Sequence, residues 1–374
     1  MKITIIGGGN IGTCLAGELA AAGHEICVYT KQPTLWSASI QVLDVDDNLL
    51  CVGKLSCVTN DIELAIKSSE VIIITWPAHI RARLFRMLAP YVREHHLITL
   101  VPGLGGSEYM ARQELHGGAV ICGLQRVPFI ARVDEVGRSV KMLGRKKELY
   151  LGKLGRGESQ SLCRLMTALF HIPCIALNNY LEVTLTPSNP ILHTARLFRM
   201  FSEYEPGKWF THCPLFYEDW DDQSSMYLLG ADAERQILCD RITQDGLRLS
   251  NVISLAQYYE STTPELLTRK IRSIQAFRGI PAPMKVTNNG FVPDLMSRYF
   301  QEDFPFGLCV IKGLCELGDI QTPTIDRILH WYEKIAGMRY YDGEQFSGPD
   351  VSSSGAPQRY GMRSIRDIIQ FYSK

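Results

Sequence analysis

Three side chains in the second half of the chain have the types needed for acid–base chemistry on a carboxylated substrate. His193 enters an apolar helical run, and Arg298 and Asp303 bracket one predicted helical turn in SRYFQEDFPFGL. An imidazole can exchange a proton near neutral pH, a carboxylate can hold its ring in one tautomer, and a guanidinium can bind a carboxylate in two hydrogen bonds. A hydride-transfer enzyme that acts on a carboxylated carbonyl or imine needs such a trio. We therefore expect the three to converge, with His193 and Asp303 catalytic and Arg298 on the substrate.

Each of these assignments has a structural alternative. A lone histidine on an apolar segment is often a hydrogen-bonded core residue. Arg298 stands at helical spacing from Glu302 and can form a surface ion pair with it. Position alone therefore leaves the roles of His193 and Arg298 open.

A glycine-rich turn at the start of the chain is the second chemical feature. The apolar residues 2–6 predict a buried strand, residues 11–22 predict a helix, and the turn between them has the G-x-G-x-x-G pattern. The first glycine permits the tight turn, the second lets backbone amides approach a pyrophosphate, and the third lets the helix lie close to the strand. A second strand over 26–29 completes the unit. The expected pyrophosphate-binding residues are Gly7, Gly9, Asn10, Ile11 and Gly12.

The end of the second strand bears on which nicotinamide cofactor is bound. An Asp or Glu normally holds the ribose 2′-hydroxyl of NAD at this position. The chain has Thr30 and Lys31 instead, which suit a 2′-phosphate. We therefore favour NADPH over NADH, with a solvated loop charge as the alternative interpretation of Lys31.

Two loops follow later strands at the sheet edge where open α/β sheets bind ligands. One is WPAH at 76–79, whose Pro77 is a further candidate for cofactor binding, and the other is PGLGG at 102–106. Both are expected near the nicotinamide half of the cofactor. The glycines of the second loop are equally consistent with ordinary turn chemistry.

Alternating strands and helices predict the fold class. We expect an α/β protein with an N-terminal Rossmann-type, doubly wound parallel sheet over residues 1–177 and a mainly α-helical substrate domain over 178–374. Further strands are predicted at 55–59, 71–76, 97–101 and 119–124, with helices near 61–67 and 80–91. In the second half, helices are predicted at 232–244, 264–277 and 324–336, and a Gly-, Ser- and Pro-rich tail at 343–363 is expected to fold over as a lid or strap.

Composition excludes several other classes of protein. The 374 residues include 39 Lys and Arg against 39 Asp and Glu, so no net positive charge favours nucleic acid. No signal segment or membrane-spanning stretch is evident, and the eleven cysteines are scattered without a C-x-x-C pair. We expect a cytoplasmic protein without a metal site. The oligomeric state stays open, with a homodimer as one option.

Read together, the motifs resemble the octopine/nopaline dehydrogenase family, the opine dehydrogenases. The similarity spans nearly the whole chain and is carried by GGGNIG, WPAH, PGLGG, GLQRVPFI, SNPILH, RYFQEDFPFGL and TPTID. The resemblance implies an NAD(P)-binding Rossmann domain joined to a helical domain. It also implies reduction of the imine between an amino acid and a 2-oxo acid.

Carried over residue by residue, the resemblance implies that His193 is the acid–base group, Asp303 its partner and Arg298 the oxo-acid anchor. Gln125 and Arg126 in GLQRVPFI lie where family members contact substrate, although their types differ from those of the better-known octopine enzymes. The added arginine hints at an extra anion, and an internal ion pair is its alternative.

An acidic and aromatic stretch, WFTHCPLFYEDWDDQSS, could shape the amino-substrate pocket. Its carboxylates suit a cationic amine, but a solvated acidic loop explains them equally well. The four carboxylates are Glu218, Asp219, Asp221 and Asp222.

Two other functions fit parts of this pattern. A simple 2-oxo-acid or ketopantoate-type reductase shares the two-domain plan but usually relies on a lysine early in the helical domain, and none stands between His171 and Met200. A catalytically silent NADP-binding sensor or scaffold would keep the glycine turn without the three candidate catalytic and binding side chains. The presence of those side chains favours the enzyme.

Overall fold

The computed structural model describes residues 1–155 and 157–373. The chain forms two compact units, Met1–Thr184 and Leu185–Ser373. The first unit contains most of the strands and the second most of the helices. The predicted α/β class, with a Rossmann-type sheet followed by a helical part, is confirmed.

The strands are β1 (Lys2–Ile6), β2 (Glu25–Tyr29), β3 (Ser39–Leu43), β4 (Leu49–Lys54), β5 (Cys57–Thr59), β6 (Val71–Ile74), β7 (Leu97–Leu100), β8 (Val120–Leu124), β9 (Phe129–Glu135), β10 (Ser139–Arg145), β11 (Leu149–Leu154), β12 (Cys174–Ala176), β13 (Met284–Thr287) and β14 (Gly290–Pro293). The α-helices are α1 (Asn10–Ala21), α2 (Ile62–Ile66), α3 (Ala78–Leu88), α4 (Ser107–Glu114), α5 (Ser159–Phe170), α6 (Leu181–Leu185), α7 (Asn189–Phe201), α8 (Asp222–Gln244), α9 (Leu255–Tyr258), α10 (Pro264–Ser273), α11 (Arg298–Gln301), α12 (Cys309–Leu317), α13 (Pro323–Ala336) and α14 (Ile365–Tyr372).

The main sheet has eight strands in the order β12-β11-β8-β7-β6-β1-β2-β5. Its neighbouring strands are parallel except for β8 and β11, which are antiparallel. Strands β6 and β7 are fully buried and apolar at nearly every position, as expected for strands covered on both faces. The carboxyl ends of β1, β6 and β7 consequently lie along one sheet edge.

A second sheet, β4-β3-β10-β9, was not predicted from the sequence. Strand β3 pairs in parallel with β10, which is distant in the chain. Helix α1 packs closely on this sheet at two glycines, Gly17 of the helix and Gly53 of β4. A Cβ on Gly53 would lie only 2.1 Å from the Gly17 carbonyl oxygen, so a larger residue would not fit there. Apolar residues of β1, α1 and β3 belong to one buried core. The helix that begins at the glycine turn is therefore held on two sides.

Residues 178–184 belong to the first unit, whereas the sequence interpretation assigns them to the second domain. Tyr180 is fully buried there, and its hydroxyl donates a hydrogen bond to the Gly103 carbonyl at 2.9 Å. The side-chain amide of Gln125 donates to the Glu182 carbonyl at 3.2 Å. These contacts place the division between the compact units after Thr184.

The second unit is mainly helical, with one departure from the prediction. Strands β13 and β14 form a hairpin, and Phe210 forms a bridge with Phe291 of that hairpin. Helix α7 is buried along almost its whole length, which marks it as the central helix of this unit. The Gly- and Pro-rich tail is ordered against α12, where the Gln358 side chain donates to the Gly313 carbonyl at 2.7 Å.

Within residues 1–155 and 157–373, no helix is both long and apolar enough to cross a membrane.

Candidate functional site

A buried histidine–aspartate pair lies at the centre of the helical unit. The Nδ1 atom of His193 is 2.8 Å from Oδ2 of Asp303, across 110 positions of sequence. The two residues are only 4% and 8% exposed. An ionised carboxylate can only accept a hydrogen bond, so it assigns the ring hydrogen to Nδ1 and leaves Nε2 as the nitrogen that can take up a proton.

Two local backbone features position this pair: the proline at the start of α7 and a turn after Asp303. Pro190 occupies the first turn of α7, where its missing N–H is tolerated, and directs His193 into the unit. After Asp303 the chain makes a π-type turn over Phe304–Leu308. A Cβ on Gly307 would lie 2.8 Å from the Pro190 Cβ, so glycine permits this turn to pack on the start of α7.

The second ring nitrogen of His193 is hydrogen-bonded to a tyrosine that the sequence interpretation missed. The Tyr217 hydroxyl lies 2.9 Å from His193 Nε2. The ring of Tyr299 is centred 4.6 Å from the imidazole, and Phe216 meets it edge-on at 5.6 Å. The only sequence signal for Tyr217 was its presence in the acidic and aromatic stretch, where the carboxylates drew attention instead.

A buried arginine holds the loop that carries Tyr217. Arg196 lies one helical turn after His193 and is 4% exposed. Its guanidinium donates to the carbonyl of Phe216 at 3.0 Å, the carbonyl of Asp219 at 2.6 Å and the hydroxyl of Ser224 at 3.2 Å. Burial lowers the pKa of Arg196 to about 10, against the opposing effect of nearby carboxylates. Arg196 thus fixes the backbone on both sides of Tyr217.

Three of the four carboxylates of the acidic stretch accept hydrogen bonds from backbone N–H groups of the helical unit. Glu218 accepts a hydrogen bond from the Gly279 backbone N–H at 2.6 Å, and Asp219 accepts one from the Leu215 N–H at 2.7 Å. Asp221 caps α8. These contacts favour the structural interpretation of the stretch over a pocket for a cationic amine.

Arg298 lies at the first position of α11, next to Tyr299. Its side chain is 66% exposed, and its Nε lies 3.8 Å from a Glu302 carboxylate oxygen. This is the surface pairing that helical spacing allows. Arg298 thus lies in the same short segment as Asp303 and approaches Glu302, and its role in substrate binding stays a prediction.

The glycine turn has the geometry that a dinucleotide requires. Gly7 has a φ of +127°, and a Cβ on Gly12 would overlap the Gly7 carbonyl oxygen at 1.9 Å. A Cβ on Gly9 would meet no protein atom within 4 Å. The turn is thus tight where helix meets strand and accessible where a phosphate must approach, so these residues fit the pyrophosphate.

The remaining residues expected at this turn have distinct positions. Asn10 begins α1, but its side chain accepts a hydrogen bond from the Val133 N–H at 2.8 Å and so ties the helix to β9. Ile11 follows in the first turn of the helix. Thr30 and Lys31 stand just past β2, with Lys31 exposed. The side-chain oxygen of Asn10 is therefore used to hold β9.

Another buried arginine connects the two loops at the edge of the main sheet. Arg81, on the helix that Pro77 caps, is 1% exposed. Its Nε donates to the Trp76 carbonyl at 2.8 Å, and its Nη1 donates to the Ser107 hydroxyl at 2.7 Å. The same nitrogen reaches the Leu104 carbonyl at 3.3 Å. The second loop therefore has a defined conformation linked to the first.

Gln125 and Arg126 follow β8 in the sheet unit. Gln125 is buried and held by the backbone of α6. Burial lowers the pKa of the nearby Lys146 ammonium, and the positive charge of Arg126 lowers it further. Two neighbouring cations at this point agree with the anion that the sequence suggests, and the contact of Gln125 and Arg126 with substrate stays a prediction.

In the described part of the chain, no three His, Cys, Asp or Glu side chains form a group that could hold a metal ion.

These features define a class of protein. One unit has a strand–turn–helix that fits a dinucleotide pyrophosphate, and the other holds a buried histidine hydrogen-bonded to an aspartate and a tyrosine. This is the equipment of a nicotinamide-dependent oxidoreductase.

Comparison with known proteins narrows the class. Residues 176–336 match the family model for the NAD/NADP octopine/nopaline dehydrogenase α-helical domain, and residues 2–115 match the N-terminal model of NAD-dependent glycerol-3-phosphate dehydrogenase. An opine dehydrogenase of Haliotis discus hannai is 30% identical over 404 residues, which covers 98% of each chain. Solved structures of octopine dehydrogenase with NADH and L-arginine and with NADH and pyruvate superpose with TM-scores of 0.87 and 0.85, each at 26% identity and covering 99% of this chain and 98% of the other.

The chain belongs to the opine dehydrogenase family. It is an NAD(P)-dependent oxidoreductase of the type that acts on CH–NH bonds.

Alanine at two of the glycines separates folding from cofactor binding. Because its methyl group would overlap a backbone carbonyl, Gly12→Ala is expected to lower the free energy of unfolding by about 1–3 kcal/mol or more. Gly9→Ala meets no protein atom, so it should cost less than about 1 kcal/mol but weaken NAD(P)H binding at least about tenfold, near 1.4 kcal/mol. Thermal melts and fluorescence titrations measure the two effects. Unchanged cofactor affinity in Gly9→Ala would contradict the assigned pyrophosphate site.

The carboxylate of Asp221 is expected to stabilise the Tyr217 loop in a pH-dependent way. Burial raises the pKa of Asp221, but hydrogen bonds from Ser224 and the positive charges of Arg196 and Arg199 outweigh it, so the pKa lies below its ordinary value. Asp221→Asn keeps a helix cap and removes the charge. At pH 7 we expect a loss of about 1 kcal/mol, moderated because the carboxylate is half-exposed.

The sign of the pH effect follows from the lowered pKa. The charge of Asp221 stabilises the fold fully above its unfolded pKa near 3.9 and ceases to do so as the pH falls through the lower folded value. The difference between wild type and Asp221→Asn in urea melts should therefore shrink below about pH 4. Asp222→Asn, at the next, exposed position, is the matched control. A difference that persists undiminished at low pH would rule out the ion pairs as its source.

Proposed function

We propose that this opine dehydrogenase joins a 2-oxo acid to an amino acid with His193 as the acid–base group, Asp303 as its partner and Arg298 as the anchor for the oxo-acid carboxylate. The observation that carries the proposal is the buried 2.8 Å contact between His193 and Asp303. Family membership supplies the reaction type, and this pair supplies its proton chemistry.

The protons move through His193. The neutral imidazole accepts a proton from the substrate ammonium, which frees the amine lone pair to attack the oxo carbon. The imidazolium then returns the proton to the hydroxyl that leaves as water when the imine forms. The nicotinamide, when bound, supplies the hydride that reduces this imine. General acid–base catalysis of this kind contributes about 10²- to 10⁴-fold.

Asp303 acts by holding the ring rather than by taking up the proton. Its oxygen receives the Nδ1 hydrogen, which fixes the tautomer and stabilises the imidazolium by charge. Since both groups are buried, water does not compete for this contact. The histidine is consequently oriented before any substrate binds.

Arg298 can change partners at little cost. Its distance of 3.8 Å to Glu302 exceeds that of a hydrogen bond, and the arginine side chain is mostly exposed. Such a pair is worth at most about 1 kcal/mol. A substrate carboxylate that accepts two parallel hydrogen bonds would bind the guanidinium more strongly.

For the cofactor, the proposal favours NADPH over NADH. Thr30 and Lys31 replace the acid that usually binds the ribose hydroxyls, and Lys31 is exposed and able to meet a 2′-phosphate. The octopine dehydrogenase structures that resemble this chain contain NADH, so the preference rests on these two side chains.

Pyruvate is the first oxo acid to test, because it is bound in one of the similar octopine dehydrogenase structures. The amino substrate is proposed only as an amino acid. Gln125 and Arg126 are the residues expected to select it. Because Glu218, Asp219 and Asp221 accept hydrogen bonds from the protein backbone, the acidic stretch gives a cationic amine no special support.

The proposed cellular location is the cytoplasm. The eleven cysteines carry free thiols, which suits a reducing cytoplasm. The homodimer remains a prediction.

His193→Ala tests the central role. We expect kcat to fall about 10²- to 10⁴-fold while the affinity for NAD(P)H stays unchanged, because the imidazole lies in a different unit from the glycine turn. The measurement is NAD(P)H oxidation with pyruvate and a pooled set of amino acids, with product identification by mass spectrometry. His212→Ala, an exposed histidine of the same unit, is the matched control.

The same assay distinguishes the alternative reductase. Turnover with pyruvate alone, undiminished when amino acids are omitted, would show a simple oxo-acid reductase. Wild-type turnover in His193→Ala would remove the histidine from the mechanism.

Lys31→Ala tests the cofactor preference. Loss of one exposed charge opposite a phosphate should raise the KM for NADPH about fivefold, near 1 kcal/mol, and leave the KM for NADH unchanged. Lys54→Ala, an exposed lysine of the same unit, should change neither. A wild-type enzyme that strongly prefers NADH would overturn the assignment.

A further inference from the structure

Tyr217 occupies the one ring nitrogen of His193 that Asp303 does not use. Its hydroxyl lies 2.9 Å from Nε2, a normal hydrogen-bond distance. With the Nδ1 hydrogen donated to Asp303, Nε2 of the neutral ring must accept, so the tyrosine hydroxyl donates. In this structure Tyr217 is therefore the hydrogen-bond partner of the ring nitrogen at which His193 can take up a proton.

The phenol ring is held firmly in this position. It stacks on Phe277 with centroids 4.1 Å apart and planes at 16°, and Phe216 packs edge-on against it at 4.9 Å. The residue is 5% exposed. Arg196 fixes the carbonyl of Phe216, immediately before it, and that of Asp219 after it. Moving the hydroxyl away from Nε2 would disrupt this packing. We therefore expect the hydroxyl to stay beside Nε2 during proton transfer.

The chemistry of the phenol limits what it can do. Burial raises the pKa of Tyr217 far above that of a phenol in water. The nearby Tyr299, Tyr259 and Asp303 raise this pKa further, and so does a side-chain hydrogen bond between Tyr217 and Tyr299. A tyrosinate is therefore not populated. The hydroxyl can transmit a proton only if it receives one as it gives one up.

We propose that Tyr217 is a catalytic residue that relays protons between the substrate and His193. In the forward step an N–H bond of the substrate ammonium breaks as an O–H bond forms on Tyr217. The original Tyr217 O–H bond breaks as an N–H bond forms at His193 Nε2. The substrate loses one proton, the imidazole gains one, and the tyrosine is neutral before and after. The reverse transfer protonates the departing hydroxyl.

The relay deepens the proposed function, because it rests on His193 as the acid–base group. It assigns a different duty to each of three residues. Asp303 fixes the ring, His193 stores the proton, and Tyr217 carries it to and from the substrate. Phenylalanine at position 217 would keep the ring and its stacking and remove only the hydroxyl.

The test compares Tyr217→Phe with wild type, using pyruvate and the amino acid that gives most product in the pooled assay. We expect kcat to fall about 10- to 100-fold, with NAD(P)H affinity unchanged. The solvent isotope effect on kcat in D₂O should become larger, because proton transfer then limits the rate. Tyr227→Phe makes the same chemical change in the same unit, where the ring packs edge-on against Phe198 at 4.8 Å, and serves as the control.

Three results would overturn the relay. One is unchanged or faster turnover in Tyr217→Phe, which would mean that the hydroxyl only covers Nε2. A second is slower turnover with an unchanged isotope effect and a lowered melting temperature, which would indicate a structural role. The third is full activity in His193→Ala, which would remove the proposed function as well. Inactive His193→Ala with fully active Tyr217→Phe would remove the relay alone.

Discussion

A buried imidazole must have both ring nitrogens hydrogen-bonded, and this constraint organises the helical unit. An unpartnered polar atom at the position of His193 would cost about 1–3 kcal/mol. The structure satisfies Nδ1 with Asp303 and Nε2 with Tyr217, which come from separate segments. Both segments must therefore pack against α7 at His193 in the folded protein. The histidine helps to hold the helical unit together and is also the candidate acid–base group.

Buried arginines give each unit its local rigidity. Arg196 donates to backbone carbonyls on either side of Tyr217, and Arg81 donates to carbonyls of both loops at the edge of the main sheet. Hydrogen bonds from a charged donor are worth about 1.5–3 kcal/mol each. In both places the loop backbone is held by hydrogen bonds from a buried guanidinium and not by those of a helix or sheet. The loops at the sheet edge and around Tyr217 can thereby be irregular and still well defined.

The fold was predictable where local sequence decides structure. The apolar run 71–74 predicts a strand buried on both faces, and the structure has one there. The glycine turn between β1 and α1 needs a positive φ at Gly7, which glycine adopts readily. The sheet of β3, β4, β9 and β10 escaped prediction because β3 pairs with β10, nearly a hundred positions away, and no local pattern specifies that pairing. The hairpin of β13 and β14 was missed because its strands are short and only Pro293 among their residues is buried, so they show no buried apolar face.

The sequence by itself determined the nicotinamide turn and the residue types able to exchange a proton and bind a carboxylate, because these depend on side-chain chemistry and short spacing. Only the tertiary structure decided which residues meet. It joined His193 to Asp303, placed Tyr217 on the remaining nitrogen and paired Arg298 with Glu302 on the surface. The physical reason is that contacts between distant segments arise from how the elements pack, such as the approach of Gly307 to Pro190, and packing depends on the whole fold.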